Sequence, residues 1–115
     1  MPLFQVNTNV AKSDVPAAFL PEATEELSKA MGKPEQYIAV QINTDQTMTF
    51  GGKGDPCACC TLQSIGKISA SQNKQYCQLL FGLLKKHLGI SPDRIYIIFV
   101  DLNAANVGWN NTTFG

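Results

Sequence analysis

The 115-residue sequence has no excess of charge of either sign: lysine plus arginine number 9, and so do aspartate plus glutamate. Without a basic stripe there is nothing to hold a phosphate backbone, which argues against nucleic acid as a partner. It also lacks any apolar run near the roughly 20 residues that would span a bilayer, and its 44% hydrophobic content is split into short segments. A soluble chain is expected, with no membrane insertion. Residues 1–14 show neither the basic start nor the apolar stretch of a secretory signal, so synthesis in the cytosol is expected. Zinc needs four ligands, and beyond the cysteines clustered at 57–60 the supply is Cys77 and the lone His87, so no metal site is expected.

The length suits one domain over residues 1–115, and that domain carries an internal repeat, approximately 2–50 and 58–107. The first half reads as a strand from Leu3 to about Thr8, a helix from about Ser13 to Met31, a stop at Gly32-Lys33-Pro34 and a strand near Tyr37–Asn43. The second reads as a strand over Leu62–Ile68, a helix over Ser71–Leu88, a stop at Gly89–Pro92 and a strand over Ile95–Asp101. Gly32 and Gly89 can take the left-handed conformation that ends a helix, and Pro34 and Pro92 prevent its continuation. Val15, Phe19, Ala23, Leu27 and Met31 recur every fourth residue and define one buried stripe, while Pro21 predicts a kink or a late helix start.

The expected fold is α+β: two pseudo-twofold related β-α-β units forming a four-stranded mixed sheet, with two antiparallel helices on one face. The strand Ile95–Asp101 is apolar on both faces, which a sheet covered on one side does not tolerate, so oligomerisation is expected.

Pro2 has two readings. As the opening residue of an edge strand it needs no N–H; after removal of Met1 it is a secondary amine, and burial would bring that amine toward neutrality as a general base. Lys33 by itself reads as a solvated charge at a helix C-terminus, and Tyr96, Val107, Trp109 and Phe114 as ordinary core or interface residues. Cys57-Ala58-Cys59-Cys60 has the Cys-x-x-Cys spacing of redox dithiols, but reduced structural thiols are the plainer reading. His87 reads as a solvated helix residue rather than a ligand.

A whole-length resemblance changes that balance. Pro2 with Phe4, Val6-Asn7-Thr8-Asn9-Val10, Gly32-Lys33-Pro34, Phe50-Gly51-Gly52, Ser64-Ile65-Gly66-Lys67-Ile68, Ile90-Ser91-Pro92-Asp93-Arg94 and Asn103–Asn111 together resemble the macrophage migration inhibitory factor family of the tautomerase superfamily. The resemblance implies a homotrimer whose sheets surround a central channel, with a site at each subunit boundary and no cofactor. It implies phenylpyruvate keto–enol and dopachrome tautomerase activity, with Pro2 as catalytic base and aromatic α-keto acids or dopachrome-like compounds as substrates. Lys33 and the amide of Ile65 would hold the substrate carboxylate, Tyr96 and Ile98 would come from the neighbouring subunit, and Val107, Trp109 and Phe114 would wall the pocket.

The resemblance further implies a pro-inflammatory cytokine, cytoplasmic and secreted without a signal peptide, that binds the invariant-chain surface receptor and chemokine receptors. The chemokine-receptor contact falls on Lys12 and Asp45, and thiol–disulfide exchange would fall on Cys57 and Cys60. The alternatives are a receptor-binding cytokine with a vestigial pocket, or a thiol–disulfide oxidoreductase. The chain departs from the family pattern at three places: Lys12 replaces an arginine, Ile98 an asparagine and Val100 a tyrosine.

Overall fold

A computed structural model describes residues 1–115. Strand β1 (Pro2–Thr8) alternates by side-chain face: Pro2, Phe4, Val6 and Thr8 are buried, while Leu3, Gln5 and Asn7 point the other way. Helix α1 (Phe19–Met31) follows, then β2 (Ala39–Asn43), β3 (Ala58–Ser64), helix α2 (Ala70–Leu88) and β4 (Ile95–Asp101). The strand order is β2-β1-β3-β4; β1 pairs parallel to β2 and β3 parallel to β4, and the two units join where β1 runs antiparallel to β3. This is the expected mixed sheet built from two β-α-β units. Two antiparallel helices cover one face.

The core lies between that face and the helices. Phe4 and Val6 from β1 and Cys60 and Leu62 from β3 pack with Phe19, Ala23, Leu27 and Met31 of α1 and Tyr76, Leu80, Leu83, Leu84 and Leu88 of α2. Gly32 and Gly89 end the two helices at φ of 64° and 67°, in the left-handed region, and their N–H groups donate to the carbonyls of Ser28 and Lys85.

Three boundaries differ from the expected ones. Helix α1 starts at Phe19 rather than Ser13, which puts Pro21 in the first turn, where a missing N–H has no intrahelical partner to lose. Lys12–Asp14 instead form a single 3-10 turn. Strand β3 covers Ala58–Ser64 rather than Leu62–Ile68, because Gly66 and Lys67 adopt φ of 73° and 62° and extended pairing cannot pass them. Strand β2 starts two residues late, since Glu35–Tyr37 form a 3-10 turn.

An unanticipated hairpin closes the chain: β5 (Gly108–Trp109) pairs with β6 (Thr112–Thr113) across Asn110 and Asn111, both at positive φ. His87 also departs from the solvated reading. Its side chain is 6% exposed, lies edge-on to Phe19 at 5.7 Å and hydrogen-bonds Glu22, which also accepts from Lys86 at 2.8 Å. The two helices are thus tied by one carboxylate, whose pKa these partners depress.

The second sheet face carries no helix. It presents paired amides, Gln5 to Gln41 at 2.8 Å and Asn43 to Asn7 at 3.0 Å, beside the exposed Tyr96 and Ile98 of β4. Paired amides satisfy one another and tolerate water, whereas Tyr96 and Ile98 leave apolar area exposed side by side on an edge strand.

Candidate active site at the N-terminal proline

Pro2 is fully buried at the start of β1, directly across the antiparallel ladder from Ser64. The next residue, Ile65, offers its carbonyl to the ammonium of Lys33 at 3.4 Å. Lys33 is placed by the end of α1: Ser28 Oγ donates to the Lys33 carbonyl at 2.6 Å, and the Lys33 N–H donates back to the Ser28 carbonyl at 3.3 Å. Pro2, Lys33 and Ile65 are therefore gathered by three elements far apart in sequence. The α-amine of Met1, bonded to Pro2, is held below its ordinary pKa by burial first and by the charge of Lys33 second. Both disfavour the ammonium form.

Beyond Lys33 the chain turns through Tyr37, whose ring meets Trp109 at 5.4 Å and Phe114 at 6.3 Å; Trp109 and Phe114 stack at 5.9 Å. Val107 fixes the far side of this cluster by accepting the Phe114 N–H at 3.1 Å. Tyr37 is a residue that sequence reasoning missed as a site component, because the strand was read as starting there. All three rings are at least 38% exposed, so the cluster is a wall open to solvent and not core.

Tyr96 and Ile98 are not brought to Pro2 within one chain. Asp101 is the β4 residue level with Ser64, and Tyr96 and Ile98 precede it by five and three residues, roughly 16 and 10 Å along the strand. They occupy the uncovered sheet face, opposite to the buried side of Pro2. Tyr96 lies against Phe50 at 5.0 Å, and the 50–57 loop is fastened by Arg94, which donates to the carbonyls of Lys53, Asp55 and Pro56, and by Asn9.

Lys12 and Asp45 are neighbours through the backbone: the Lys12 N–H donates to Asp45 Oδ2 at 3.1 Å, and the Asp45 N–H donates to the Val10 carbonyl at 2.9 Å. Both side chains are exposed, and Lys12 lines a cavity of about 530 Å³ with Val15, Pro16, Leu20 and Ile42. This cavity is remote from the groups that could do chemistry.

The family model described as macrophage migration inhibitory factor (MIF) matches residues 1–115. The chain belongs to the macrophage migration inhibitory factor family. It is 60% identical to the macrophage migration inhibitory factor of Rattus norvegicus over 114 residues, covering 99% of each chain, and 54% identical to that of Xenopus laevis over the same share. The solved structure of the factor from Trichinella spiralis superposes with a TM-score of 0.95 at 46% identity, covering 97% of this chain and 99% of that one. A homologue from Prochlorococcus marinus superposes at 0.93 with 35% identity, covering 98% and 99%.

Within this family frame the Cys-x-x-Cys motif does not form a bridge. All four cysteines are free. Cys57 and Cys60 are both buried, and the run between them enters β3, where three extended residues put their Cα atoms roughly 10 Å apart, beyond the ~7 Å that a disulfide spans. Burial, with a smaller contribution from Cys59, pushes the Cys60 thiol up to about 12. The thiolate is the reactive form, and burial keeps Cys60 in the thiol form at pH 8. Iodoacetamide at pH 8 is therefore expected to leave Cys60 unmodified in the native chain and to alkylate it after denaturation. Peptide mass spectrometry reads both, and rapid native labelling would contradict the buried-thiol assignment.

Proposed function

We propose that the chain is a phenylpyruvate keto–enol tautomerase, with dopachrome-type compounds as further substrates, whose base is the amine of Pro2 after removal of Met1. The observation that carries this reading is the buried setting of Pro2 beside Lys33 and Ile65, where the adjacent α-amine is already held below its ordinary pKa. A neutral amine is what a general base at physiological pH requires.

The reaction follows from these groups. The Pro2 nitrogen takes a proton from the methylene carbon beside the substrate carbonyl. The C–H electron pair becomes the new C=C bond, and the carbonyl π pair moves to oxygen as an enolate. The oxygen then takes that proton from the Pro2 ammonium, which gives the enol and restores the neutral amine; the reverse sequence gives the keto form. Lys33 pairs with the carboxylate and the Ile65 amide adds a donor, while Tyr37, Val107, Trp109 and Phe114 receive the aromatic ring. No step calls for a metal or organic cofactor.

We further propose a homotrimer with its sheets around a central channel. The uncovered face fits that role, with amides facing water and Tyr96 and Ile98 at the edge available to the pocket of a neighbouring subunit. A cytokine role, with receptor contacts through Lys12 and Asp45, rests on family membership and on the shared exposure of these two residues. The enol–keto assay with phenylpyruvate on the processed chain tests the enzymatic reading. No turnover above buffer would leave the receptor-binding reading in its place.

Ile98 gives a specificity test. Placed at the pocket by a neighbouring subunit, it offers no partner to a hydroxyl on the substrate ring, and an unpartnered buried hydroxyl costs about 1–3 kcal/mol. The chain should prefer phenylpyruvate over its 4-hydroxy analogue, and Ile98→Asn should move the kcat/KM ratio by roughly 5- to 150-fold toward the hydroxylated substrate. An unmoved ratio would remove Ile98 from the pocket.

A further inference from the structure

The sheet buries two polar residues, Thr8 and Ser64, both facing the helices from the paired strands β1 and β3. Thr8 is fully satisfied: its hydroxyl donates to the Cys57 carbonyl at 2.8 Å and accepts from the Val10 N–H at 3.1 Å. Ser64, 0% exposed, leaves its Oγ with no partner at all. A buried orphan hydroxyl is costly, and Ser64 does not recover that cost within the fold, since its carbonyl is what binds the Leu102 N–H and its side chain holds nothing.

Its place in the ladder supplies the explanation. Ser64 is the residue directly opposite Pro2, and opposite residues of an antiparallel pair hold their Cβ atoms about 4.5–5.5 Å apart on the same face. While Met1 is attached, the Pro2 nitrogen is a tertiary amide with neither proton to donate nor basic lone pair to accept, so the hydroxyl has nothing to bind. Once Met1 is removed, the same nitrogen becomes a secondary amine with both.

We propose that Ser64 is a positioning residue for the Pro2 amine, its hydroxyl hydrogen-bonding the freed nitrogen and fixing the direction of its lone pair. The inference rests on the reading of Pro2 as the base. The hydroxyl oxygen accepts from the N–H of either form of the amine, which leaves the single lone pair of the neutral nitrogen free for the substrate proton, and its bond to the protonated form is charge-assisted and stronger. Ser64 therefore raises the proton affinity of Pro2, against the lowering effects of burial and of Lys33. Of the other titratable groups on neighbouring elements, Asp101 is level with Ser64 on β4 and accepts from the Gly66 N–H, and Tyr76 on α2 donates to the Lys67 carbonyl. Strand β1 has no titratable side chain.

The test is a titration of the Pro2 amine in ¹⁵N-proline-labelled, Met1-free protein, followed by NMR, with the pH profile of phenylpyruvate kcat/KM measured alongside. Ser64→Ala removes an atom that makes no bond in the fold, so the variant is expected to fold and assemble as the wild type does. Its Pro2 pKa, and with it the acidic limb of kcat/KM, should fall by roughly 0.5 to 1 unit. Ser64→Thr, which keeps the hydroxyl, should return the pKa toward the wild-type value. A Pro2 pKa that moves by less than about 0.2 in Ser64→Ala overturns the proposal. The NMR titration keeps the two readings apart: a wild-type chain without turnover whose Pro2 pKa still falls in Ser64→Ala would sink the tautomerase reading and sustain the hydrogen bond.

Discussion

Replacing Pro2 by glycine is expected to lower phenylpyruvate kcat/KM by about 10²- to 10⁴-fold, the range typical of removing a positioned general base. The substitution keeps a small second residue, so Met1 is still removed and an amine is still present. What disappears is the ring. A glycine amine is primary, better hydrated and free to rotate about its own Cα, so the lone pair is no longer held toward the Lys33 and Ile65 side of the site. The fold should survive, because Pro2 lies at the end of β1 and the core contacts of that strand come from Phe4 and Val6. Circular dichroism and sedimentation should therefore match the wild type while turnover collapses. Full activity in the glycine variant would take Pro2 out of the mechanism.

The second large effect is on stability. Phe4→Ala should cost about 3–5 kcal/mol, the range for truncating a buried aromatic. Phe4 is 0% exposed, pairs with Leu62 across the ladder that joins the two β-α-β units, and belongs to the core shared with both helices. It lies two residues from Pro2, so its loss loosens the strand that aims the base. Urea unfolding at a fixed protein concentration measures the change, since assembly makes apparent stability depend on concentration. A loss below about 1 kcal/mol would show that β1 is not the pillar of the core described above.

Much of this fold could be read in the sequence because it rests on local chemistry. Gly32 and Gly89, with prolines two and three residues on, terminate helices by backbone geometry alone, and β4 is visible as an apolar run from Ile95 to Val100. What escaped depends on contacts made at a distance or on conformations a residue's identity does not reveal. Gly66 alone hinted at a break in β3, but Lys67 follows it into the left-handed region at φ of 62°, which its identity does not reveal, and β3 ends four residues earlier than its apolar pattern suggests. His87 is covered because Glu22 and Phe19, on the other helix, reach it.

The C-terminal hairpin did carry a signal, since two asparagines between strand-forming residues suit a turn that needs positive φ twice, as Asn110 and Asn111 provide. The candidate site divides in the same way. Pro2, Lys33, Ile65, Val107, Trp109 and Phe114 were named through the family resemblance, and the fold brings Pro2 to Lys33 and Ile65 and stacks Trp109 on Phe114. Tyr37 and Ser64 emerged only from packing, as a ring wedged against two others and as a hydroxyl without a partner.

The central claim is that the Pro2 nitrogen acts as a base only when it is free. One preparation can be split into chains with and without Met1, verified by intact mass, and assayed for phenylpyruvate enol–keto turnover at equal concentration. The processed chain should turn over and the Met1-bearing chain should not, because an acylated proline nitrogen has no basic lone pair. Equal turnover in the two would contradict a mechanism based on Pro2, whatever the fold and the family.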